Sequence, residues 1–170
     1  VLASLEGGNF GLAFASGVAA TTAVFHGLLK KGDHAVVGDN IYGGTYRLLE
    51  NIFKPWGLEI TYVETDNIRA YENAIRDNTR LIWVETPSNP LMKIVDLERL
   101  SEVARRGGFL LAVDNTFATP CFQRPLEYGA HIVVHSTTKY IAGHSDLIGG
   151  ATVTSDAGIN GQLRSYQCNA

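Results

Sequence analysis

Apolar positions along the chain alternate between two patterns. Short β-branched and apolar runs occupy Gly11–Phe14, His34–Gly38, Glu59–Val63, Leu81–Glu85, Phe109–Val113, Ile132–Val134 and Ala151–Thr154. Between them, apolar positions recur at helical spacing over Val18–Leu29, Thr45–Phe53, Ile68–Arg76, Leu97–Arg106 and Arg124–Tyr128. A run such as Leu110-Leu111-Ala112-Val113 has no polar face, which is what a strand covered by helices on both sides requires. This alternation predicts an α/β fold with a mostly parallel, doubly wound sheet. No internal repeat, low-complexity tract or linker is visible, so one domain is expected over residues 1–170. In such sheets the ligand sits beyond the carboxyl ends of the strands, and that is where chemistry is expected.

Composition narrows the function classes. The chain has 170 residues, 45% hydrophobic and 18% charged, the profile of one globular domain with a sizeable core. A net charge of -3, with no basic run or basic-aromatic stripe, argues against a nucleic-acid partner. The apolar stretches, Phe109 to Val113 among them, are too short to span a bilayer, and no membrane partner is expected. No charged and then apolar leader opens the chain, and Cys121 and Cys168 form no CxxC pair. A cytoplasmic protein without a disulfide framework or metal site is the expectation. Val1–Glu6 reads as the tail of a helix. Gln162–Gln167 reads as a helix lacking the Gly or Asn usual after a C-terminus. The chain is therefore expected to be a piece of a longer protein.

The residues after the strands carry the chemistry. Ile132–Val134 runs into Ser136-Thr137-Thr138-Lys139-Tyr140. A lysine just past a buried strand suits a Schiff-base amine, because partial desolvation lowers its pKa; taken alone, it reads more readily as a surface lysine in a polar loop. Ser136 and Thr138 flank it with the hydroxyl donors a phosphate needs. Val113-Asp114-Asn115-Thr116 ends another strand, and Asp114 is either a turn former or a partner for a protonated ring nitrogen. Ser16-Gly17-Val18 turns a strand into a helix, with Ser16 a natural N-cap and free N–H groups that can hold an anion. In Tyr42-Gly43-Gly44-Thr45 the glycines leave room for the Tyr42 ring to lie on a planar ligand, or form only a turn. In Glu85-Thr86-Pro87-Ser88-Asn89-Pro90, Asn89 is a turn residue or a donor to a ligand oxygen. Each feature has a plain structural reading. Together they place an anion cup, a ring, a carboxylate, an amide and a lysine at successive strand ends of one sheet.

These stretches, with His135-Ser136-Thr137-Thr138-Lys139-Tyr140-Ile141-Ala142-Gly143-His144-Ser145-Asp146, strongly resemble the Cys/Met-metabolism family. This is the cystathionine γ-synthase and γ-lyase group of fold-type I (aspartate aminotransferase-like) enzymes that use pyridoxal 5'-phosphate. The resemblance runs through nearly the whole chain, which corresponds to the large cofactor-binding domain without the small C-terminal one. It implies that Lys139 holds the cofactor as a Schiff base and that Asp114 pairs with the pyridine nitrogen. Tyr42 stacks on the ring, and Thr116 packs against it. The Gly17 and Val18 amides and the Ser136 and Thr138 hydroxyls hold the phosphate. Asn89 touches the ring oxygen, steadied by Glu85. Catalysis is implied for Lys139, Tyr42 and Asp114, on an amino-acid substrate, in a homodimer or homotetramer. Val18 stands where Met or Leu is frequent, and Gly44 stands where methionine γ-lyases have Cys. The family's upstream Tyr and Arg, which reach the phosphate across a dimer interface, and its downstream carboxylate-binding Arg lie in segments this chain lacks. The isolated chain is therefore expected to fold, to associate and to be a poor enzyme.

Other classes are less well supported. Ser136-x-x-Lys139 matches the S-x-x-K of acyl-serine hydrolases, but S-D-N and K-T-G are both missing. A metal site from His131, His135, His144 and Asp146 fails on reach, since residues four apart on a strand are separated by about 13 Å. A truncated domain that binds the cofactor without turnover is the third reading.

Overall fold

The computed structural model describes residues 1–169. In chain order the elements are α1 (Leu2–Leu5), β1 (Phe10–Phe14), α2 (Gly17–Leu28), β2 (His34–Gly38), α3 (Gly43–Leu48), a π-helical turn (Leu49–Phe53), α4 (Lys54–Trp56) and β3 (Glu59–Val63). Then follow α5 (Ile68–Ala74), β4 (Thr79–Glu85), α6 (Leu97–Gly107), β5 (Leu110–Asp114), α7 (Thr119–Phe122), a 3₁₀ turn (Pro125–Tyr128), β6 (Ile132–Ser136), β7 (Gly150–Thr154) and α8 (Ala157–Asn169). Among the described residues, no helix is long and apolar enough to cross a membrane.

The seven strands form one sheet in the order β1-β7-β6-β5-β4-β2-β3. The pairings of β2, β3, β4, β5 and β6 are parallel, and β7 runs antiparallel to both β1 and β6. The mostly parallel sheet expected from the sequence is present, with one reversed strand that the apolar run Ala151–Thr154 did not betray. Helices cover both faces. Ala20, Val24 and Phe25 of α2 and Leu163 of α8 pack with Val37, Trp83, Ala112 and Val134 on one side. Ile68 and Tyr71 of α5 and Leu100 and Val103 of α6 pack with Val36, Ile82, Val84, Leu111 and Val113 on the other. The chain leaves β2 toward β3 and leaves β4 toward β5, so the order reverses between β2 and β4. Such a switch point opens a crevice at the strand ends.

Helix boundaries follow from caps. Ser16 accepts the Ala19 N–H at 3.0 Å, Asp96 accepts that of Arg99 at 3.0 Å, and Asp156 accepts that of Ile159 at 2.9 Å. The last of these starts α8 well before the Gln162–Gln167 segment read from the sequence. The helix expected over Thr45–Phe53 divides where Leu49 begins the π turn, and Gly57 closes α4 with φ +112°. The helix expected over Arg124–Tyr128 is only a 3₁₀ turn over Pro125–Tyr128, closed by Gly129 at φ +91°.

His34 is fully buried, with Nδ1 2.8 Å from Thr79 Oγ1 and Nε2 2.9 Å from Thr61 Oγ1. Burial, aided by the Arg76 charge, pushes its pKa below the ordinary 6.5. The unfolded chain therefore takes up the proton first as pH falls below 6.5, and stability is lost until the pH passes the lower folded value. The burial of His131 acts in the same sense. Urea midpoints should thus fall between pH 7.5 and pH 5, less steeply in a His34→Gln variant. Parallel profiles for the two proteins would refute the assignment to His34.

Candidate active site

At the crevice, a cavity of about 440 Å³ is lined by all ten residues singled out from the sequence: Gly17, Val18, Tyr42, Glu85, Asn89, Asp114, Thr116, Ser136, Thr138 and Lys139. Ser16, Thr21, Thr45, Phe117 and Ile148 complete the lining and were not assigned to it from the sequence.

One wall is the start of α2. The Ser16 hydroxyl takes the Ala19 N–H and its carbonyl takes that of Ala20, which leaves the Gly17 and Val18 N–H groups without partners in the helix. The backbone here is packed as tightly as glycine allows. A Cβ on Gly17 would lie 2.6 Å from Ser136 Cβ, and one on Gly150 would lie 2.0 Å from the Ser16 carbonyl oxygen. Because β7 is reversed, its first residue is wedged between Phe14 of β1 and Ser136 of β6. Gly150→Ala should consequently destabilise by about 1–3 kcal/mol through overpacking against backbone. Gly161→Ala, which meets nothing within 4 Å in α8, should instead stabilise by about 0.5–1 kcal/mol. Denaturation midpoints moving the same way in both variants would contradict this packing.

The floor is a pair of carboxylates at neighbouring strand ends. Glu85 and Asp114 are direct partners in the β4–β5 register. Asp114 Oδ1 accepts the Thr116 N–H at 3.0 Å and the Thr116 hydroxyl at 2.5 Å. The Thr116 hydroxyl in turn accepts the Ser136 N–H at 2.8 Å. Burial pushes the Asp114 pKa up, against the Thr116 hydrogen bonds and the His135 charge. Glu85 is also pushed up, by burial first and then by the Asp114 charge, while the Tyr42 N–H at 2.7 Å opposes the rise. Two adjacent buried carboxylates ionise together only if a cation joins them.

Glu85 holds Tyr42: one of its carboxylate oxygens accepts the Tyr42 N–H, fixing the residue that precedes α3, and no hydrogen bond joins Glu85 to Asn89 among the described residues. The Tyr42 ring folds back over Gly44, where a Cβ would lie 2.2 Å from Cε1. A cysteine at this position would push the ring out of place. Asn89 sits in a loop fixed by other bonds: Ser88 donates to Asn40, Lys93 N–H donates to Ser88 Oγ at 2.9 Å, and Val95 N–H donates to Thr86 Oγ1 at 3.0 Å.

Lys139 stands on the tight turn after β6 and is exposed. The desolvation expected from the sequence is not supplied by the described residues, because Lys139 and most of residues 139–148 are exposed. Its base is clasped by Thr138, whose hydroxyl accepts the Gly149 N–H at 3.0 Å and donates to the Gly149 carbonyl at 3.2 Å. To donate to a phosphate, that hydroxyl must release the longer bond. Ser136 and Lys139 are joined by the backbone, the Lys139 N–H donating to the Ser136 carbonyl at 3.2 Å, and no side-chain hydrogen bond couples the S-x-x-K pair among the described residues. The histidines considered for a metal site have separate partners. His131 Nδ1 accepts the Leu111 N–H, His135 meets Glu6, and His144 Nδ1 lies 2.6 Å from the Ala142 carbonyl.

The chain matches the family model of Cys/Met metabolism PLP-dependent enzymes over residues 1–170. It belongs to that family. It is 48% identical over 167 residues to the cystathionine γ-lyase of Bacillus subtilis strain 168, covering 98% of this chain and 44% of that protein. It is equally 48% identical, over 170 residues, to the cystathionine β-lyase of Coxiella burnetii, covering 99% of this chain and 44% of the relative. The crystal structure of metB from Corynebacterium glutamicum superposes with a TM-score of 0.96 at 51% identity, covering 98% of this chain and 43% of that one. The fold is thus that of the fold-type I enzymes of this family, and the chain spans less than half the length of these relatives.

The cavity fits the family's cofactor on its own geometry. It offers unpartnered helix N–H groups to a phosphate, an aromatic ring held beside it, and a lysine at its mouth. The two carboxylates at its floor are a place for the cationic nitrogen of a pyridinium ring.

Proposed function

We propose that the protein containing this chain is a trans-sulfuration enzyme of the cystathionine γ-synthase or γ-lyase type, making or breaking a C–S bond of a sulfur amino acid. The observation that carries the reading is the convergence of Lys139, Asp114, Tyr42 and the start of α2 on one cavity at the switch point of the sheet. Pyridoxal phosphate, when bound, acts as an electron sink for the substrate's amino-acid carbon. The chain's own residues supply the rest. The Lys139 amine would condense with the cofactor aldehyde and, once displaced by substrate, would take a proton from Cα and return one nearby. The Asp114 carboxylate would hold the pyridine nitrogen protonated. The Gly17 and Val18 N–H groups and the Ser136 hydroxyl would bind phosphate, joined by Thr138 if it turns from Gly149. Tyr42 would lie on the ring and stand near the leaving group, Thr116 would pack beneath the ring, and Asn89 would donate to the ring oxygen.

Exposed apolar side chains support self-association. Phe122, Ile148 and Tyr140 are 87%, 74% and 65% exposed, apolar surface that suits burial against a second subunit in a homodimer or homotetramer. The intact protein should release cysteine and 2-oxobutanoate from cystathionine, or join cysteine to an activated homoserine. Release of pyruvate and homocysteine instead would place it among the β-lyases, and activity on neither substrate would overturn the reading.

A further inference from the structure

Beneath the cavity floor lies a second polar cluster that the mechanism does not use. Glu6, at the end of α1, is completely buried, as are His135 and Asn115. His135 Nε2 lies 2.5 Å from Glu6 Oε1, and the Asn115 side-chain amide donates to the same oxygen at 2.9 Å. Glu6 Oε2 and His135 Nδ1 are buried without partners. Burying such a pair costs several kcal/mol per ion, roughly, and an apolar pair of the same volume would serve packing at least as well. Its location gives the pair another purpose.

Alternation along the strands puts the cluster on the far face of the sheet from the cavity. Val134 and Ala112 share the face that carries Asp114, whereas His135 and Asn115 are each one residue on. Asp114 is registered opposite Val134, next to His135. The same two strand ends are therefore tied on both faces. On the cavity face the Ser136 N–H reaches Asp114 through the Thr116 hydroxyl; on the far face Asn115 reaches His135 through Glu6. Gln123 closes the far side, accepting from the Asn115 amide with its carbonyl at 2.8 Å and donating to Asn115 Oδ1 at 3.0 Å.

We propose that the buried Glu6–His135 pair is a positioning element for Asp114, tying together the two strand ends that direct its carboxylate into the cavity, so that Glu6 acts on cofactor binding without touching the cofactor. The proposal rests on the reading of the cavity as a pyridoxal-phosphate site. A histidine hydrogen-bonded to a buried carboxylate is a charge-assisted donor. The positive end of this pair opposes the effect of burial on Asp114. Glu6→Gln keeps the shape and the acceptor for Asn115 but removes the carboxylate charge that faces His135 Nε2.

The test is a double-mutant cycle in the intact protein, read by titration with pyridoxal phosphate. Glu6→Gln should weaken binding about tenfold, the equivalent of one pK unit at Asp114. In an Asp114→Asn background the same change should have no further effect, because the residue through which it acts is gone. The ring nitrogen of ¹⁵N-labelled cofactor should shift toward its unprotonated value in Glu6→Gln. His135→Asn, carried through the same cycle, should behave alike and decides the matter if Glu6→Gln does not fold. Equal weakening in both backgrounds, with an unmoved nitrogen resonance, would make the pair a mere staple for α1 and overturn the proposal. If the unaltered protein binds pyridoxal phosphate and no coupling is found, only this proposal falls. If the unaltered protein takes up none, the reading of the cavity falls as well.

Discussion

Lys139→Ala should abolish covalent capture of pyridoxal phosphate. Borohydride reduction of the unaltered protein is expected to leave one pyridoxyl-labelled peptide, the one containing Lys139, and the variant should leave none. Among the described residues Lys139 is the one amine on the cavity wall, standing on a turn whose base is fixed by the two Thr138–Gly149 bonds. Non-covalent binding should persist, because the phosphate and ring contacts belong to other elements. Turnover should fall by at least about 10²–10⁴-fold, the usual contribution of a positioned proton-transfer group, before the loss of covalent chemistry is added. A label on Lys93 or Lys30 would defeat the assignment. Lys93 is bonded to Asp66 at 2.7 Å, away from the cavity, and should stay unlabelled.

Asp114→Ala should weaken pyridoxal-phosphate binding by about 10–150-fold. That range is the equivalent of the 1.5–3 kcal/mol of a charge-assisted hydrogen bond in a partly buried site. The expectation rests on how the carboxylate is held. Thr116 occupies Oδ1 twice, and Oδ2 has no hydrogen-bond partner among the described residues. Substrate Cα–H exchange in the intact enzyme should fall further than binding does, because an unprotonated ring is a poorer electron sink. Asp146→Ala is the control: Asp146 is exposed on the outer loop and lines a different hollow. Equal effects of the two substitutions would reduce Asp114 to a turn former.

Much of this architecture was legible in the chain, for identifiable reasons. Strands such as Leu110–Asp114 are apolar on both faces because both faces are covered, and a run of that kind admits few other interpretations. The residues after them mean little singly. Asp114 and Lys139 became informative through their joint placement at strand ends. What stayed hidden depends on direction and distance. Gly150–Thr154 is buried throughout and reads alike in either orientation, so neither its reversal nor the need for glycine beside Ser16 was visible. That Glu85 takes the Tyr42 N–H was hidden because the two residues are 43 positions apart. Glu6 resembled any charge near a helix end. The histidine that explains its burial is 129 positions away, and only the folded sheet brings them together.

The clasp between Thr138 and Gly149 has a consequence for how this site can diversify. Because those two residues seal the neck of the segment, the register of β6 with β7 does not depend on what lies between them. The pairing therefore tolerates added length between them, since loop length costs only a fraction of a kcal/mol, roughly, per doubling. Yet Ile148 and Lys139, at the two ends of that segment, face the cavity directly. The outer wall of the site therefore stands on a fixed foundation.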